Sequence, residues 1–266
     1  MSELTHAAAV GHAVRLGKLK VKHDTRTLQL ERYVDAEALL PSVPASAAWS
    51  PKVKRWPMYA NDRLGDCTCA AVGHMEEGWS ANAGQPEVPK EQAVLDLYWA
   101  TGAGDTGRYC LDVLNSWHTR GFDGERCTAF VQIDPRRLRH VELACWMFGG
   151  VYIGLLLPRS AQWQRDEWTL SSGADARPGS WGGHAVNLID YTRGAGPVCV
   201  TWGRLLPMTW QFFEACCDEA YAVLSPDWAT QKQKAPSGFD VAQLERDLAA
   251  IKGTPMLLPV EGVDLH

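Results

Sequence analysis

Cys67 has the surroundings best suited to a nucleophilic cysteine. It follows the turn-forming pair Gly65-Asp66 and begins a stretch in which Met75 and Trp79 recur at helical spacing. The unpaired N–H groups of a helix N-terminus lower the pKa of a thiol, and the thiolate is the nucleophilic form. Asp66 acts in the opposite direction, because a neighbouring negative charge disfavours the thiolate. We expect Cys67 to begin a helix over 67–79 and to be the candidate nucleophile.

Cys69 is the rival nucleophile. Two residues further along a helix, its side chain points away from the face that Cys67 uses, so we expect it in the core. A zinc site built from Cys67, Cys69 and His74 is a poor alternative, because C-x-C lacks the usual ligand spacing and no second cysteine or histidine pair follows. We expect no metal and no cofactor.

His184 is the candidate general base. Gly182 and Gly183 precede it and permit close approach of another backbone or of a substrate. The strand predicted at 184–191 would give the imidazole a rigid mount. A single histidine at a strand start is usually structural, but this one has the most constrained surroundings of the eight histidines. A thiol paired with an imidazole would support covalent acyl transfer.

The elements that must position this pair change character along the chain. Helical patterns dominate the first half and strand patterns the second, which predicts two lobes of one α+β unit with a cleft between them. Helices are predicted at 67–79, 90–98, 109–119, 134–148 and 208–216, and strands at 127–133, 151–157, 184–191, 198–202 and 219–224. The fourth helix is expected to use Asp134 as N-cap and Pro135 as its first residue.

The order and offsets of several motifs resemble the papain-like cysteine peptidase family. Asn61 lies six residues before Cys67, where that family carries an oxyanion-hole glutamine, and Trp49 lies twelve before Asn61, as in the family. The similarity covers roughly residues 43–225. The remaining matching motifs are Val43-Pro44, Gly65-Asp66-Cys67 for Gly-Ser-Cys, Gly183-His184-Ala185-Val186, and Thr201-Trp202-Gly203 for Ser-Trp-Gly.

The resemblance implies a papain-like fold, with a helical N-terminal lobe and an antiparallel sheet lobe on either side of a cleft. The helical lobe would span about 43–125 and the sheet lobe about 126–228, together forming one domain over 43–228. Residues 1–42 would be an N-terminal arm. Residues 229–266 would be a C-terminal tail with an amphipathic helix at 239–251.

The residue that orients the imidazole departs from the family pattern. The family has an asparagine sixteen residues after the histidine, and Val200 stands there in this chain, where it can accept no hydrogen bond. Thr201 is the adjacent candidate, although strict alternation would aim it at the opposite sheet face. Asp190 is expected to be too distant. The oxyanion donor Asn61 is one methylene shorter than the family's glutamine.

The resemblance implies a peptidase, amidase or acyl transferase acting on a peptide-like carbonyl. His184 would take the thiol proton, and Asn61 with the Cys67 backbone N–H would hold the oxyanion. Trp181, Gly183 and Trp202 are the candidate substrate-binding residues. Two alternatives stay open. Val200 motivates a catalytically inactive papain fold used as a binding or structural protein, for example in a phage particle or another assembly. The other is a different fold in which the cysteine is merely buried.

Composition limits the partners. The 266 residues are 46% hydrophobic and 21% charged with a net charge of −5, which argues against binding nucleic acid through its phosphates. The basic tract Lys18, Lys20, Lys22 is interpreted as a solvated surface. No apolar stretch reaches the ~18 residues of a membrane helix, and the first thirty residues lack a secretory pattern. We expect a cytoplasmic protein with a peptide or protein substrate, no membrane partner, and an assembly partner as the alternative.

Overall fold

The structure is a computed structural model that describes residues 14–32 and 43–228. The amphipathic helix predicted at 239–251 lies outside these residues. Within the described ranges, no helix is long and apolar enough to span a bilayer. The α-helices in these ranges are α1 (Cys67–Ala83), α2 (Glu91–Ala100), α3 (Cys110–Thr119), α4 (Leu138–Phe148) and α5 (Trp210–Cys216).

Helix α1 is buried on nearly all sides, because it lies between the other helices and the sheet. On the helical side, the ring of Trp79 stacks on Trp117 of α3 at a centroid distance of 5.8 Å. On the sheet side, a Cβ added at Gly78 would lie 3.0 Å from Cδ1 of Ile189, so the helix backbone runs close to the strand. The helix that begins at Cys67 is therefore fixed against both lobes.

The described strands form one antiparallel sheet. Its main path runs β2-β7-β3-β4-β5-β6, and β1 pairs with β4 beyond this path. The strands are β1 (Ser46–Ala48), β2 (Ala129–Ile133), β3 (Val151–Leu157), β4 (Gly182–Thr192), β5 (Gly196–Thr201), β6 (Arg204–Pro207) and β7 (Cys217–Leu224). The central position of β4 gives its first residues a rigid backbone against both β3 and the helical lobe.

Two apolar cores lie on either side of this sheet. One contains α1, α2 and α3, and the other packs α4 and α5 against the opposite sheet face. In the second core, the ring of Trp168 stacks on Phe212 of α5 at 5.7 Å. The predicted α+β architecture, with a helical lobe and an antiparallel sheet lobe, is confirmed.

Some predicted boundaries are wrong in detail. Helix α4 begins at Leu138 rather than at Asp134, because the Asp134 carboxylate accepts the Arg136 N–H at 3.1 Å and closes a turn before the helix. Strands β1 and β6 were not predicted. Both are short, and β1 is held by its pairing with residues 190–192 of β4 rather than by a pattern of its own.

Candidate active site

Cys67 lies at the N-terminus of α1, directly against the start of β4. The backbone N–H of Ala185 points at Cys67 Sγ, 3.5 Å away. Ala185 is the neighbour of His184, so the structure brings the two candidate residues to the same place between the lobes. Cys67 and His184 are both buried, each with only 1% of its surface exposed.

His184 is held by two contacts on its ring. Its Nε2 is hydrogen-bonded to Thr201 Oγ1 at 2.7 Å, and the ring stacks on Trp202 with centroids 4.5 Å apart. Trp202 itself has a φ of 44°, an unusual backbone conformation for a residue with a side chain. Nδ1 of His184 has no hydrogen-bond partner among the described residues. The imidazole is thus oriented at one nitrogen and leaves the other unbonded.

Strand register explains why Thr201, and not Val200, reaches His184. Strands β4 and β5 pair Leu188 with Cys199 and Asp190 with Val198, so β4 carries one extra residue at this point. Val200 pairs with Asn187, on the face opposite to that of His184. The expectation that alternation would turn Thr201 away is wrong, because Thr201 shares the face of His184. The partner of the imidazole therefore lies 17 residues after it.

Asn61 lies in a strained turn that directs its side chain into the cleft. The preceding residues, Tyr59 and Ala60, have φ values of 52° and 65°, which L-residues rarely adopt. Asn61 Nδ2 donates to the carbonyl oxygens of Leu64 at 3.1 Å and of Arg15 at 3.2 Å. The predicted oxyanion donor is thus bonded to a backbone carbonyl of the N-terminal segment.

Residues 15–19, which we call the arm strand, fill the cleft. Gly17 O accepts the Arg108 N–H at 2.7 Å, and the Leu19 N–H donates to Arg108 O at 2.9 Å. On the other wall, the Lys18 N–H donates to Gly183 O at 3.1 Å. The arm strand is therefore hydrogen-bonded to both lobes, in the way that an added β-strand binds a sheet edge.

Close packing at Gly17 places the arm strand directly over the candidate nucleophile. A Cβ added at Gly17 would lie 1.7 Å from the carbonyl oxygen of Gly65, so no larger residue fits there without displacement. The Gly17 N–H is also one of the groups that hydrogen-bond Cys67 Sγ. The arm strand therefore covers Cys67 and places a backbone N–H group beside its sulfur.

The wall at Arg108 is rigid because its guanidinium is buried in a cage of backbone carbonyls. Arg108 donates to the oxygens of Tyr98 and Gly102, both at 2.8 Å, and of Gly107 at 2.7 Å. Its guanidinium carbon lies 3.8 Å from the centroid of the Tyr98 ring. The sequence gives no signal for this cage beyond the repeated glycines at 102, 104 and 107, because one arginine among ordinary loop residues carries no pattern.

The environment keeps both members of the candidate pair neutral in this conformation. Burial raises the pKa of the Cys67 thiol to about 11, and the N–H groups of Ala185 and Gly17 counteract this only in part. Burial lowers the pKa of His184 to about 3. Both shifts disfavour the charged forms. A thiolate–imidazolium pair is therefore not the resting state while the arm strand covers the site.

Asp66 opposes the thiolate less than its formal charge suggests. Its carboxylate is fully buried at the start of α1, and the Asn61 side chain and the Asp66 N–H offset the cost of its charge only in part. Burial raises the pKa of Asp66 to about 8, so the group is mostly protonated near neutral pH. The negative charge expected beside Cys67 is largely removed in the folded protein.

The other candidate residues lie around the same cleft. The Trp181 ring contacts that of Trp202 at 5.6 Å, and Trp202 Nε1 donates to Arg15 O at 3.3 Å. Gly183 contributes the carbonyl already described. Asp190 does not approach the imidazole: it accepts the backbone N–H groups of Trp49 at 2.7 Å and of its neighbour, residue 50. Cys69 is fully buried, as predicted for a core residue.

Comparisons with known proteins agree with this geometry at the level of the fold. No protein-family model matches the chain, and no curated protein matches it. Solved structures do. Xylellain, a cysteine protease from Xylella fastidiosa, superposes with a TM-score of 0.65 at 13% identity, covering 79% of this chain and 96% of that one.

Two further structures are similar over most of this chain. Procathepsin B S9 from Trypanosoma congolense gives a TM-score of 0.56 at 11% identity, covering 79% of this chain and 86% of that chain. The cysteine protease CMS1MS2 from Carica candamarcensis, solved with E-64, gives 0.52 at 13% identity, covering 68% and 99%. These likenesses show the fold, and the chain has the papain-like cysteine protease fold in a divergent form.

Proposed function

We propose that the protein is a cysteine hydrolase of peptide-like carbonyl substrates that uses Cys67 and His184. The observation that carries the proposal is the hydrogen bond of 2.7 Å between His184 Nε2 and Thr201 Oγ1. A bond at Nε2 leaves Nδ1 as the nitrogen available to a thiol proton. The sulfur of Cys67 lies beside the same stretch of β4. The orientation therefore turns the unbonded nitrogen of a buried imidazole to the side that a thiol proton must reach.

The chemistry follows from these positions once the arm strand withdraws. Nδ1 of His184 takes the proton of Cys67, and the thiolate forms a C–S bond to the substrate carbonyl carbon. The developing oxyanion is held by the Cys67 backbone N–H and by Asn61 Nδ2, which exchanges the Arg15 carbonyl for the substrate oxygen. The imidazolium then protonates the leaving nitrogen as the C–N bond breaks. Water, deprotonated by the imidazole, hydrolyses the thioester.

Thr201 takes the place of the asparagine expected at this point of the fold. When its hydroxyl accepts the Nε2 proton, the tautomer with a lone pair on Nδ1 is stabilised, which is the basic form needed. A hydroxyl is a weaker acceptor than an amide or carboxylate oxygen. A thiol requires less activation than a hydroxyl, so this weaker support is compatible with catalysis.

A catalytically inactive papain fold is the second candidate function. The filled cleft favours it, since Cys67 and His184 are only 1% exposed and both are neutral in the described conformation. In that case the arm strand is a permanent part of a binding or structural protein. The two candidates differ in whether uncovering the cysteine produces a reactive thiol.

Labelling with a peptide carrying a thiol-reactive electrophile separates the two. The full chain with Gly17→Ala, which cannot keep residue 17 against Gly65, is the form to test. We expect stoichiometric labelling of Cys67, lost in His184→Ala and retained in Cys69→Ala. Labelling no faster than that of glutathione by the same reagent supports the inactive fold instead.

We also propose a reducing, cytoplasmic location. All eight cysteines of the sequence are free, and seven of them are buried among apolar side chains. Burial rather than pairing accounts for their positions. Thiol trapping in intact cells followed by mass spectrometry tests this location: we expect eight unmodified cysteines, and a disulfide between any two would contradict it.

A further inference from the structure

The ammonium group of Lys18 is buried beside the candidate active site. Lys18 Nζ lies 2.9 Å from Asp218 Oδ2 and 3.0 Å from Glu219 Oε1, and its side chain is 0% exposed. The solvated surface expected for the basic tract is wrong for Lys18, although Lys20 and Lys22 are exposed.

An irregularity in β7 places the carboxylates of Asp218 and Glu219 side by side, and together they form one wall of the pocket that holds the Lys18 side chain. Strand β3 pairs Gly154 with Glu219 and Leu155 with Cys217, so Asp218 is an extra residue in β7. Successive side chains of a regular strand point to opposite faces, whereas a bulge can turn two neighbours toward one ligand. Both carboxylates consequently reach the same ammonium group.

The pocket has a shape as well as a charge. A Cβ added at Gly154 would lie 2.1 Å from Lys18 Cε, so the absence of a side chain there opens the room that the lysine occupies. Glu219 is held in place by the Tyr221 hydroxyl, which donates to its Oε2 at 2.9 Å. The walls are therefore rigid strand residues.

The electrostatics favour a cation in this position. Burial lowers the pKa of the Lys18 ammonium, but the carboxylates of Glu219 and Asp218 outweigh this and raise it above its ordinary value. Glu219 is only 1% exposed, so its carboxylate would be buried and uncompensated without a cation. Loss of one partner from a buried ion pair is strongly destabilising.

The pocket lies beside the candidate nucleophile, because the residue that fills it is adjacent in the arm strand to the residue that covers Cys67. Lys18 directly follows Gly17, whose N–H reaches Cys67 Sγ. The Lys18 N–H donates to the carbonyl of Gly183, the residue before His184. An extended peptide in the cleft would therefore place one of its side chains in this pocket, next to the reacting atoms.

We propose that Gly154, Asp218 and Glu219 form a specificity pocket for a lysine or arginine side chain of the substrate, which Lys18 occupies within the same chain. The inference rests on the proposed hydrolase function. An apolar side chain would leave the carboxylates unpaired and an acidic one would be repelled, so both are rejected by the cost of unpaired buried charge. The arm strand is thus a substrate mimic whose lysine must leave before a basic peptide can enter.

The test compares lysine with norleucine, which has the same length without the charge. Peptide electrophiles carry lysine, norleucine or glutamate at each of the three positions next to the reactive group. They are reacted with two proteins: the full chain with Gly17→Ala, and the same chain that also carries Asp218→Asn and Glu219→Gln, which we call the amide variant. We expect the best lysine probe to label Cys67 about 10- to 100-fold faster than its norleucine counterpart. In the amide variant that ratio falls to near one while the norleucine probe still reacts, which shows that the fold is intact.

A second readout needs no catalysis. A fluorescent hexapeptide with the sequence of residues 15–20 is titrated into the Gly17→Ala protein, together with its version carrying norleucine for Lys18. We expect tighter binding of the lysine peptide, and no difference in the amide variant. Equal affinities, or a lysine preference that survives Asp218→Asn and Glu219→Gln, overturn the pocket. If no probe labels Cys67, the hydrolase proposal fails, and the peptide titration still decides the pocket.

Discussion

Replacing Gly17 by alanine should turn Cys67 from an inert thiol into a reactive one. The added Cβ would lie 1.7 Å from Gly65 O and 2.2 Å from Gly65 C, a contact with backbone that no rotamer relieves. The arm strand must therefore move away from the sulfur. Gly194→Ala is the matched control, since a Cβ there meets nothing within 4 Å.

The magnitude follows from the pKa of the thiol. Burial holds the pKa of Cys67 at about 11 against an ordinary 9.0. If hydration restores the ordinary value, the thiolate fraction near neutral pH rises about 100-fold. Intrinsic nucleophilicity falls as the pKa falls, with a Brønsted coefficient of about 0.4–0.5, which offsets about 8-fold of this gain. The ionisation effect alone is then about 10-fold, and access of the reagent adds to it.

The assay is alkylation by iodoacetamide followed by peptide mass spectrometry, so that Cys67 is distinguished from the other seven cysteines. We expect Cys67 in Gly17→Ala to react at least about 10-fold faster than in Gly194→Ala. Cys217, which is partly exposed, serves as the internal reference. Equal rates at Cys67 in the two alanine variants would refute the conclusion that the arm strand suppresses its reactivity.

Three further predictions test the supports of the site. Thr201→Val removes the hydroxyl 2.7 Å from His184 Nε2. In the Gly17→Ala background this change should lower kcat/KM for a peptide substrate by about 100-fold or more, and Thr201→Ser should keep most of the activity. Equal activity with threonine, valine and serine at this position contradicts the positioning role. Asp66 has its pKa raised to about 8 by burial, so between about pH 4 and pH 8 the folded state holds a proton that the unfolded chain has released, and stability falls as pH rises. The free energy of unfolding in urea is measured for Asp66→Asn and for the unsubstituted protein across this window. The variant should gain stability relative to the unsubstituted protein by up to about 1.4 kcal/mol per pH unit as the pH rises. A difference that does not change with pH contradicts the raised pKa. Arg108→Met removes buried hydrogen bonds to the carbonyls of the 98–107 wall and should lower the free energy of unfolding by about 3 kcal/mol or more, with a loss under about 1 kcal/mol as the contrary result.

The sequence predicts the fold and the central pair because both depend on local and ordered signals. A helix beginning at Cys67 follows from spacing and turn residues, and a strand beginning after two glycines follows from an apolar run. Those elements exist in the structure at Cys67–Ala83 and Gly182–Thr192. That the helix and the strand lie side by side follows from the fold, and the order of the motifs along the chain indicates that fold.

The partner of His184 could not be predicted in the same way. One extra residue in β4 moves the pairing of β5 by one position, and this exchanges Thr201 for Val200 on the face of the imidazole. A bulge depends on how two distant strands pair, so counting residues from the histidine gives the wrong neighbour. The same holds for β7, where an extra residue brings Asp218 to the side of Glu219.

The position of the arm strand also lies beyond sequence patterns. Residues 15–19 lack the periodicity of a helix or a long strand, and the segment is held in the cleft partly by backbone hydrogen bonds, which leave no mark on residue type. A lysine in an exposed-looking tract is normally solvated, and Lys18 is buried only because two carboxylates from a distant strand meet it. Long-range pairing of this kind leaves no local trace in composition.

Turnover of peptides by the protein with an uncovered cleft tests the central claim most directly. The full chain with Gly17→Ala is incubated with a defined mixture of lysine-containing peptides, and the products are identified by mass spectrometry. A matched protein carries Gly17→Ala together with Cys67→Ser. We expect multiple turnovers from the first protein and a rate at least about 1000-fold lower from the second. Absence of cleavage by the first, or equal cleavage by both, would contradict the assignment of Cys67 as the nucleophile.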